Sequence, residues 1–358
     1  MKDQTGKNGT PARASSASFV ARPMRGALGL PAAPVFFVAA AALAAASLPA
    51  AAAPADLAKG YPSRPVRVIV PFGTGSITDI LTRTIMPKVS EALGQPIIID
   101  NRPGAGGNIG TEMVVTAAPD GHTLVSGSAS VLAVNGFLFR NMPYDVATAF
   151  APITQYNTVT NVLVVTPVLP VKSVKELIAY GKANPGKLSF ASAGAGGTIH
   201  LAGEMFKAMA GIQMEHIVYK SSPFAHVDLF AGQVHLMFDG LPPALPHIRA
   251  GKLRALAVAT GKRSQLLPEL PTVAEAGLPG YNVQGWNGLA GPAGMPKAVV
   301  EKLNRETVRV LNMSDVRERL LALGAEPVGN TPGQFAAHMK AERELWGKFI
   351  KQIGLRLD

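Results

Sequence analysis

The sequence predicts an α/β fold built as two lobes, and three observations lead to this prediction. Strand-period and helix-period segments alternate after residue 55, which is typical of mainly parallel sheets flanked by helices. A strand–turn–helix unit whose turn is rich in glycine and hydroxyl groups occurs twice, at residues 67–83 and 188–206. The segment from Lys297 onward is almost entirely helical in pattern. Because this tail has no sheet of its own, we expect it to pack back on the first lobe.

Short runs of β-branched and aromatic residues predict the strands Val66–Val70, Ile97–Ile99, Thr123–Ser126, Val162–Thr166, Leu188–Ala191, Glu215–Tyr219, Val234–Phe238 and Ala255–Ala259. Helical periodicity predicts the helices Thr78–Leu93, Ile109–Ala117, Val174–Ala183, Ile199–Ala210, Ala225–Ala231, Thr272–Ala276, Lys297–Asn312, Ser314–Leu323 and Pro332–Ile353. Two apolar stretches edged with Pro or Gly, Val162–Pro170 and Val283–Pro292, are the predicted crossings between lobes. The first lobe is then residues 60–164 with 285–358, and the second is residues 165–284.

The two glycine-rich turns are candidate anion sites. The first backbone N–H groups of a helix lack internal partners and carry the positive end of its dipole. Neither turn contains the lysine of a GxxxxGK[ST] phosphate loop. Two such turns in two lobes indicate a carboxylate held between the lobes rather than a nucleotide.

The N-terminal segment has the layout of a secretory signal peptide. Residues 35–53 are apolar and dominated by alanine, with two arginines upstream and small residues after them. Cleavage fits after Ala53 or Ala55, and we favour Ala55 because Pro54 is a poor residue just after the cut. The predicted signal peptide is therefore residues 1–55, and the predicted location is the periplasm. An internal start at Met24 and a membrane anchor are the alternatives for this segment.

Composition excludes several classes of function. There is no cysteine, so disulfides, thiolate catalysis and cysteine-bound metals are excluded. The formal net charge is +11, but the basic residues after the leader are scattered singly, which argues against a nucleic-acid partner and favours encounter with small anions. The chain has no GxSxG or HExxH motif and no histidine cluster at metal spacing. A hydrolase or lyase assembled from distant residues is left as an alternative.

Nine segments, in order along the chain, are shared with a known family: YPSRPVRVIVPFGTGSITD, IIIDNRPGAGGNIGTEMV, APDGHTLV, MPYDVATAFAPI, ANPGKLSFASAGAGGTIHLAGEMFK, HIVYKSSPFAHVDLFAGQVHLMFD, GKLRALAVATGKRS, LPELPTVAEAGLPGY and WNGLAGPAGMPKAVVEKLN. From about Tyr61 to the C-terminus the chain resembles the Bug-type periplasmic solute-binding receptors of tripartite tricarboxylate transporters. The motifs are specific in combination, although each alone is weak.

The resemblance implies a two-lobed periplasmic binding protein of the type II Venus-flytrap class, with mixed, mainly parallel sheets. It implies capture of a small carboxylate (a di- or tricarboxylate, an acidic amino acid or an aromatic carboxylate) and its delivery to the membrane permease subunits of a tripartite transporter. No catalysis, cofactor or metal is implied, and we expect a monomer. A receptor that signals to a membrane sensor instead of a permease is an alternative that the sequence does not separate.

The family's ligand contacts match a limited set of positions here. They are Phe72, Gly73, Thr74, Gly75, Ser76 and Thr78 in the first turn, Ser192, Ala193, Gly194, Ala195, Gly196, Gly197 and Thr198 in the second, and Ser128, Asn135, Tyr219 and Asp239 at other strand ends. Ser76 stands where the family has glycine. The loop Tyr219–Phe224 departs from the family's Tyr-Lys-Gly-Ser-Ala-Pro pattern, and Gly136 follows Asn135 where the family has proline. These departures leave the identity of the carboxylate open.

Each candidate also has a purely structural reading. Either turn could be a tight strand-to-helix connection, and the glycines at 104–110 could be a helix start near the cleft. His200 is expected to cap a helix rather than bind the ligand. Asp239 could bind a cationic group of the solute or bond backbone groups at its strand end. Trp286 is a candidate for the cleft wall.

Overall fold

The structure, a computed structural model, describes residues 59–357. The predicted signal peptide and its cleavage position lie outside the described residues. The described strands are β1 Val66–Val70, β2 Ile97–Asn101, β3 Thr123–Ser128, β4 Phe150–Val159, β5 Asn161–Val165, β6 Leu188–Ser192, β7 Met214–Val218, β8 Leu236–Gly240, β9 Arg254–Val258, β10 Gly285–Pro292 and β11 Ala325–Pro327. They form two sheets, one for each lobe of an α/β protein.

The two sheets share a pattern of parallel β-α-β units completed by antiparallel strands. The first has the order β11-β4-β10-β3-β1-β2, and the second has the order β7-β6-β8-β5-β9. The pairs made by β1 and β6 are parallel, as the alternation of strands and helices predicts. The pairs made by β10, β11 and β5 are antiparallel. The two sheets are therefore mixed and flanked by helices, which confirms the predicted two-lobed class.

The helices on these sheets are α1 Ile77–Leu93, α2 Asn108–Val115, α3 Asn135–Leu138, α4 Val174–Ala183, α5 Thr198–Ala210, α6 Ser222–Phe230, α7 Leu241–Arg249, α8 Lys297–Leu311, α9 Ser314–Ala322 and α10 Pro332–Ile353. A 3₁₀ turn at Ala105–Gly107 precedes α2, and a π-helical turn at Ser130–Val134 precedes α3. Local signals explain several ends. Thr331 and Gln334 form a capping box at the start of α10, and Gly94 and Gly354 end α1 and α10 in the left-handed conformation.

The chain passes from the first sheet to the second at a single residue. β4 ends at Val159 in the first sheet, and β5 begins at Asn161 in the second. The predicted boundary at residue 164 is therefore four residues later than the change of sheet, because β5 reads as an apolar crossing in the sequence. The return to the first sheet falls between β9 and β10. The bounds of the lobes as units stay a prediction.

The helical tail lies against the first sheet. Phe335 of α10 contacts Trp286 of β10 edge to face, with ring centroids 5.7 Å apart. Asn304 of α8 donates to the carbonyl of Ile153 in β4 at 2.9 Å. Both helices therefore pack against the first sheet at β4 and β10, with Phe335 in one hydrophobic cluster and Leu303 of α8 in another.

One predicted helix is absent from the structure, and several observed elements, α7 and β4 among them, were not predicted. The predicted helix Thr272–Ala276 was wrong, because this segment is a turn closed by a 3.0 Å hydrogen bond from Ala276 N to Thr272 O. α7 was missed because it contains three prolines, yet two of them lie in its first turn, where no N–H partner is lost. β4 was missed because polar residues interrupt its pattern, although most of its side chains are buried.

Candidate functional site

A cavity of about 660 Å³ lies between the two sheets. Residues at or just past the carboxyl ends of strands from both sheets form its floor, among them Pro71 after β1, Ser128 in β3, Ala193 after β6 and Asp239 in β8. Ligands of open α/β sheets bind in crevices at these strand ends. The cavity is therefore the candidate site.

Five helix N-termini meet at this cavity. The residues that precede the helices α1, α2, α5, α6 and α7 are Ser76, Gly107, Gly197, Ser221 and Gly240, and all of them lie on its wall. Each N-terminus carries the positive end of a helix dipole. Four of them also carry backbone N–H groups without intrahelical acceptors, whereas at α7 Leu241 N donates to Thr160 O at 2.9 Å and the two prolines that follow have no N–H. Their sum is a positive potential made of backbone, which suits a small anion.

The turn before α1 uses some of its own donors. The side chain of Ser76 accepts from Asp79 N at 3.3 Å, and Gly75 N donates to Asp79 Oδ2 at 2.9 Å. Ile77 and Thr78 keep backbone N–H groups that have no intrahelical acceptor. The hydroxyl of Thr78 donates to Asn287 Oδ1 at 2.8 Å, which ties this helix to β10.

Two buried histidines, one hydrogen-bonded to the turn and the other stacked on the first, support the turn before α5. Gly196 N donates to His200 Nδ1 at 3.0 Å, so His200 has the structural role that the sequence favoured, although it is buried. The ring of His200 stacks on His216 with centroids 3.8 Å apart. Burial lowers the pKa of His200 to about 3 and that of His216 to about 4, so both rings are neutral at ordinary pH. No side chain caps α5, which leaves the N–H groups of Thr198 and Ile199 open.

Asp239 is fully buried, and its carboxylate is bonded by the protein itself. Oδ1 accepts from Ser222 Oγ at 2.6 Å and from Gly240 N at 2.9 Å, and Oδ2 lies 2.7 Å from His226 Nε2. The hydroxyl of Ser222 is thus bonded to a carboxylate and not to an imidazole. This arrangement lacks the nucleophile–base contact that a serine hydrolase requires.

The rest of the wall is largely apolar and carries little charge. Trp286 is buried there and donates its indole N–H to Glu342 Oε2 at 3.0 Å. The side chains of Phe72, Ile77 and Ile199 also contribute apolar surface. Among the described residues on the wall, Lys220 is the one basic side chain.

The arginines nearest to the first turn in sequence pair away from the cavity. Arg64 pairs with Asp120, Arg67 and Arg102 with Asp100, and Arg83 with Asp79. Among the described residues, the wall therefore offers backbone N–H groups, hydroxyls and the ammonium group of Lys220, and no guanidinium.

Most of the candidate residues from the sequence lie on the cavity wall. These are Phe72, Gly73, Thr74, Ser76, Thr78, Ser128, Ala193, Gly194, Ala195, Gly197, Thr198, Tyr219 and Asp239. Tyr219 donates its hydroxyl to Asp228 Oδ2 at 2.6 Å, and desolvation with this partner raises its pKa to about 12. Contact of any of these residues with a ligand stays a prediction.

The structure places four candidates off the wall. Gly75 turns its N–H to Asp79, and Ser192 is fully buried beneath the turn, where its hydroxyl lies 2.7 Å from His216 Nε2. Asn135 is buried and donates to Gly106 O and Asn108 Oδ1. A side chain at Gly196 would point at Leu138 and not into the cavity.

The sequence reasoning did not single out several wall residues: Pro71, Pro103, Ser130, Val159, Asn161, Gly240, Pro243, Gly285 and Asn287. Four of these nine, Val159, Asn161, Gly285 and Asn287, come from β4, β5 and β10, the strands on either side of the crossings. Their sequence carries no turn signal, so only the fold brings them to the cavity. By contrast, the loop from Lys220 to Phe224 and the glycines after residue 103 were recognisable in the sequence, because serine, proline and glycine are typical of turns.

Residues 59–357 contain neither a membrane-spanning helix nor a candidate metal-binding cluster. Within this range no helix combines the length and the apolar character that a bilayer crossing needs. The same residues contain no group of three or more His, Asp or Glu side chains that could hold a metal ion.

The comparisons with known proteins agree with this geometry. The family model of the tripartite tricarboxylate transporter family receptor matches residues 81–355. The structure of R. palustris Rpa4515 with adipate is 40% identical, with a TM-score of 0.79, over 83% of this chain and 100% of that one. The periplasmic binding protein BugD is 35% identical, with a TM-score of 0.77, over 83% of this chain and 100% of that one.

A third solved structure, MatC (Rpa3494) from Rhodopseudomonas palustris with bound malate, is 34% identical, with a TM-score of 0.76, over 80% of this chain and 99% of that one. These proteins are solute-binding receptors and not enzymes, and the resemblance read from the sequence is confirmed. On the family match and on the fold of its relatives, the chain belongs to the Bug-type periplasmic solute receptors of the tripartite tricarboxylate transporter family.

Proposed function

We propose that the protein binds a small dicarboxylate in the cavity between its sheets and delivers it to the membrane permease subunits of a tripartite transporter. The observation that carries the proposal is the meeting of five helix N-termini at one cavity, where the described wall residues include no arginine. Export through a cleavable signal peptide at residues 1–55, action as a monomer and the lobe bounds given above belong to the same proposal.

The helix N-termini and the volume of the cavity favour a small dicarboxylate. Backbone N–H groups from both sheets can each hold one carboxylate, which favours a solute with a carboxylate at either end. A volume of about 660 Å³ lies within the range of small-molecule sites. Rpa4515 binds adipate and MatC binds malate, and both ligands are dicarboxylates.

The bonds of Asp239 narrow the solute class. Its two oxygens already accept from Ser222, Gly240 and His226, which leaves only one of about four acceptor positions for the ammonium group of an amino acid. Lys220, the basic side chain on the wall, would repel such a group. The proposal therefore favours dicarboxylates without an amino group over acidic amino acids.

A thermal-shift screen of the exported chain tests the binding part of this proposal. Mono-, di- and tricarboxylates, aromatic carboxylates and acidic amino acids are added at equal concentration. We expect dicarboxylates to raise the melting temperature by mass action, and acidic amino acids of the same length to raise it less. A larger shift with amino acids, or none with any carboxylate, would contradict the proposal.

Delivery needs a separate measurement. Uptake of the labelled dicarboxylate is followed in cells that carry the permease subunits, with and without the gene for this receptor. We expect uptake at low solute concentration to require the receptor. If uptake is unchanged while binding is intact, the receptor serves a sensor rather than a permease.

A further inference from the structure

The side-chain amide of Asn161 is a feature of the cavity that dicarboxylate capture by helix N-termini does not explain. Asn161 is 3% exposed and lies on the cavity wall. Its Nδ2 has no hydrogen-bond partner among the described residues. Burying an amide N–H without an acceptor is unfavourable, and most such groups in native proteins have a partner. An acceptor that enters the cavity with the solute would supply one.

This amide differs from the other buried groups without a partner. Those groups belong to His122, Asn135, Asn157, Thr166, Thr307 and His338. None of these residues lies on the cavity wall. Among the described residues, the coincidence of a missing partner with a place on the wall is therefore specific to Asn161.

The surroundings of Asn161 leave room for a ligand. It is the first residue of β5, directly after the residue at which the chain changes sheet. Its partner in the ladder is Gly240, and a Cβ built on Gly285 would lie 3.7 Å from its Oδ1. Both glycines are on the wall and have no side chain. Neither of these neighbours therefore places a side chain beside the Asn161 amide.

Two other polar side chains on the cavity wall are already engaged. On the side of β10, Asn287 accepts from the hydroxyl of Thr78 at 2.8 Å. On the side of β8, Asp239 accepts from the hydroxyl of Ser222 at 2.6 Å. Thr78 belongs to the start of α1 and Ser222 to the start of α6. Asn287 and Asp239 therefore have partners within the protein, whereas Asn161 Nδ2 has none among the described residues.

We propose that Asn161 Nδ2 donates a hydrogen bond to an oxygen on the carbon chain of the solute, between its two carboxylates. The receptor then prefers hydroxy- or oxo-dicarboxylates over unsubstituted dicarboxylates of the same length. This inference rests on the proposed function, because the helix N-termini are what hold the carboxylates at the two ends. A neutral amide suits a neutral oxygen, and both a carbonyl and a hydroxyl can accept from it.

Calorimetric titration with matched pairs tests the inference. The pairs are succinate with malate, glutarate with 2-oxoglutarate, and adipate with 2-oxoadipate. For the chain length that binds, we expect the wild type to bind the oxygenated member at least about tenfold more tightly, which is about 1.4 kcal/mol. Asn161→Leu should bring this ratio close to one and change the affinity for the unsubstituted member by less than about threefold.

Two further variants sharpen the test. Asn161→Asp offers acceptors only, so it should lose the preference for the oxo compounds, whose carbonyl cannot donate. Thr166→Val is the matched control, since it removes a buried hydroxyl that has no partner and lies off the wall. It should leave both affinities unchanged. Thermal unfolding of each variant without ligand shows that lost binding is not lost folding.

The outcomes separate the inference from the proposed function. Equal affinities for both members of a pair in the wild type, or an equal loss for both in Asn161→Leu, would overturn the role of Asn161 and leave dicarboxylate capture intact. Failure of the wild type to bind any member of any pair would overturn dicarboxylate capture, and this inference with it.

Discussion

The carboxylates in and around the cavity are hydrogen-bonded within the protein. Asp239 and Asp79 are carboxylates at the edge of the cavity, and each is bonded by N–H or O–H groups of the protein. Glu342 behind the wall accepts from the indole N–H groups of Trp286 and Trp346, both at 3.0 Å. Since these carboxylates are bonded inside the protein, the hydrogen-bond donors left to face a solute include the N–H groups at the helix N-termini, the wall hydroxyls and Lys220.

Asp239 decides between the two roles that the sequence left open. Asp239→Ala leaves donors of Ser222, Gly240 and His226 without an acceptor, so we expect a loss of about 3 kcal/mol or more in the free energy of unfolding. Urea denaturation measures this loss. Asp228→Ala, which removes the partner of the half-buried Tyr219, is the control and should cost less. If Asp239→Ala is as stable as the wild type but no longer binds the ligand, Asp239 contacts the solute instead.

The stacked histidines predict a pH dependence of stability. Their pKa values of about 3 and 4 are below the unfolded value near 6.5, so between these limits the unfolded chain binds more protons than the folded one. The free energy of unfolding should therefore fall as the pH falls from about 6.5 towards 4, and these two rings should add no slope above pH 7.

His216→Phe isolates one of these rings, because it keeps an aromatic ring against His200 and removes a titrating group. We expect the slope of stability against pH in this window to decrease by up to one proton, about 1.4 kcal/mol per pH unit. Urea denaturation at several pH values measures this slope. A variant of His235 is the reference, because burial also lowers the pKa of this histidine and it lies outside the stack. Identical slopes in wild type and His216→Phe would contradict the assignment.

At the scale of elements, the helix starts were the predictable part of the site. Both glycine-rich turns have local signals, namely a strand with β-branched or aromatic residues before them and an amphipathic helix after them. α7 and β10 have no such signal, because prolines hide the one and glycines the other. Asn161 was unpredictable for a related reason. Its importance comes from a missing partner, which depends on residues that only the fold brings near it.

The structure also changes which glycines control access to the turns. Gly73 and Gly197 lie on the wall with ordinary backbone angles, and a Cβ on either would meet no atom closer than 3.6 Å. Gly73→Val and Gly197→Val should therefore fill the site without strain. We expect each to reduce dicarboxylate affinity about a hundredfold or more, which is about 2.8 kcal/mol, in calorimetric titration.

Gly75→Val is the matched control for these variants. Gly75 has a φ of +79° and is not on the wall, so valine there should strain the backbone and lower the free energy of unfolding by about 1–2 kcal/mol. The affinity of the folded protein should change by less than about threefold. If Gly75→Val abolishes binding while Gly73→Val does not, the solute contacts the first turn at Gly75 and not at Gly73.

At the scale of the whole molecule, the two-lobed class was predictable and the strand order was not. Alternating strands and helices predict α/β sheets, and a tail without strands predicts packing on an earlier sheet. The place of β10 between β3 and β4 depends on pairing between segments far apart in the sequence, for which short-range patterns carry no signal. The floor of the cavity, which β10 helps to build, was therefore the part that the sequence could not supply.

A solute held by turns of both sheets should draw the two lobes together, because it binds the closed arrangement better than the open one. Small-angle scattering should then show a smaller radius of gyration with the dicarboxylate than without it. Trp286 supplies a second, local readout, since it is buried on the wall and the chain has two tryptophans. In Trp346→Phe, ligand-dependent fluorescence comes from Trp286 alone. Gly197→Val in this background should abolish both signals, since it fills one turn while leaving the fold intact. Compaction that persists in this variant would mean that the solute closes the lobes from another site, and binding between the two turns would have to be abandoned.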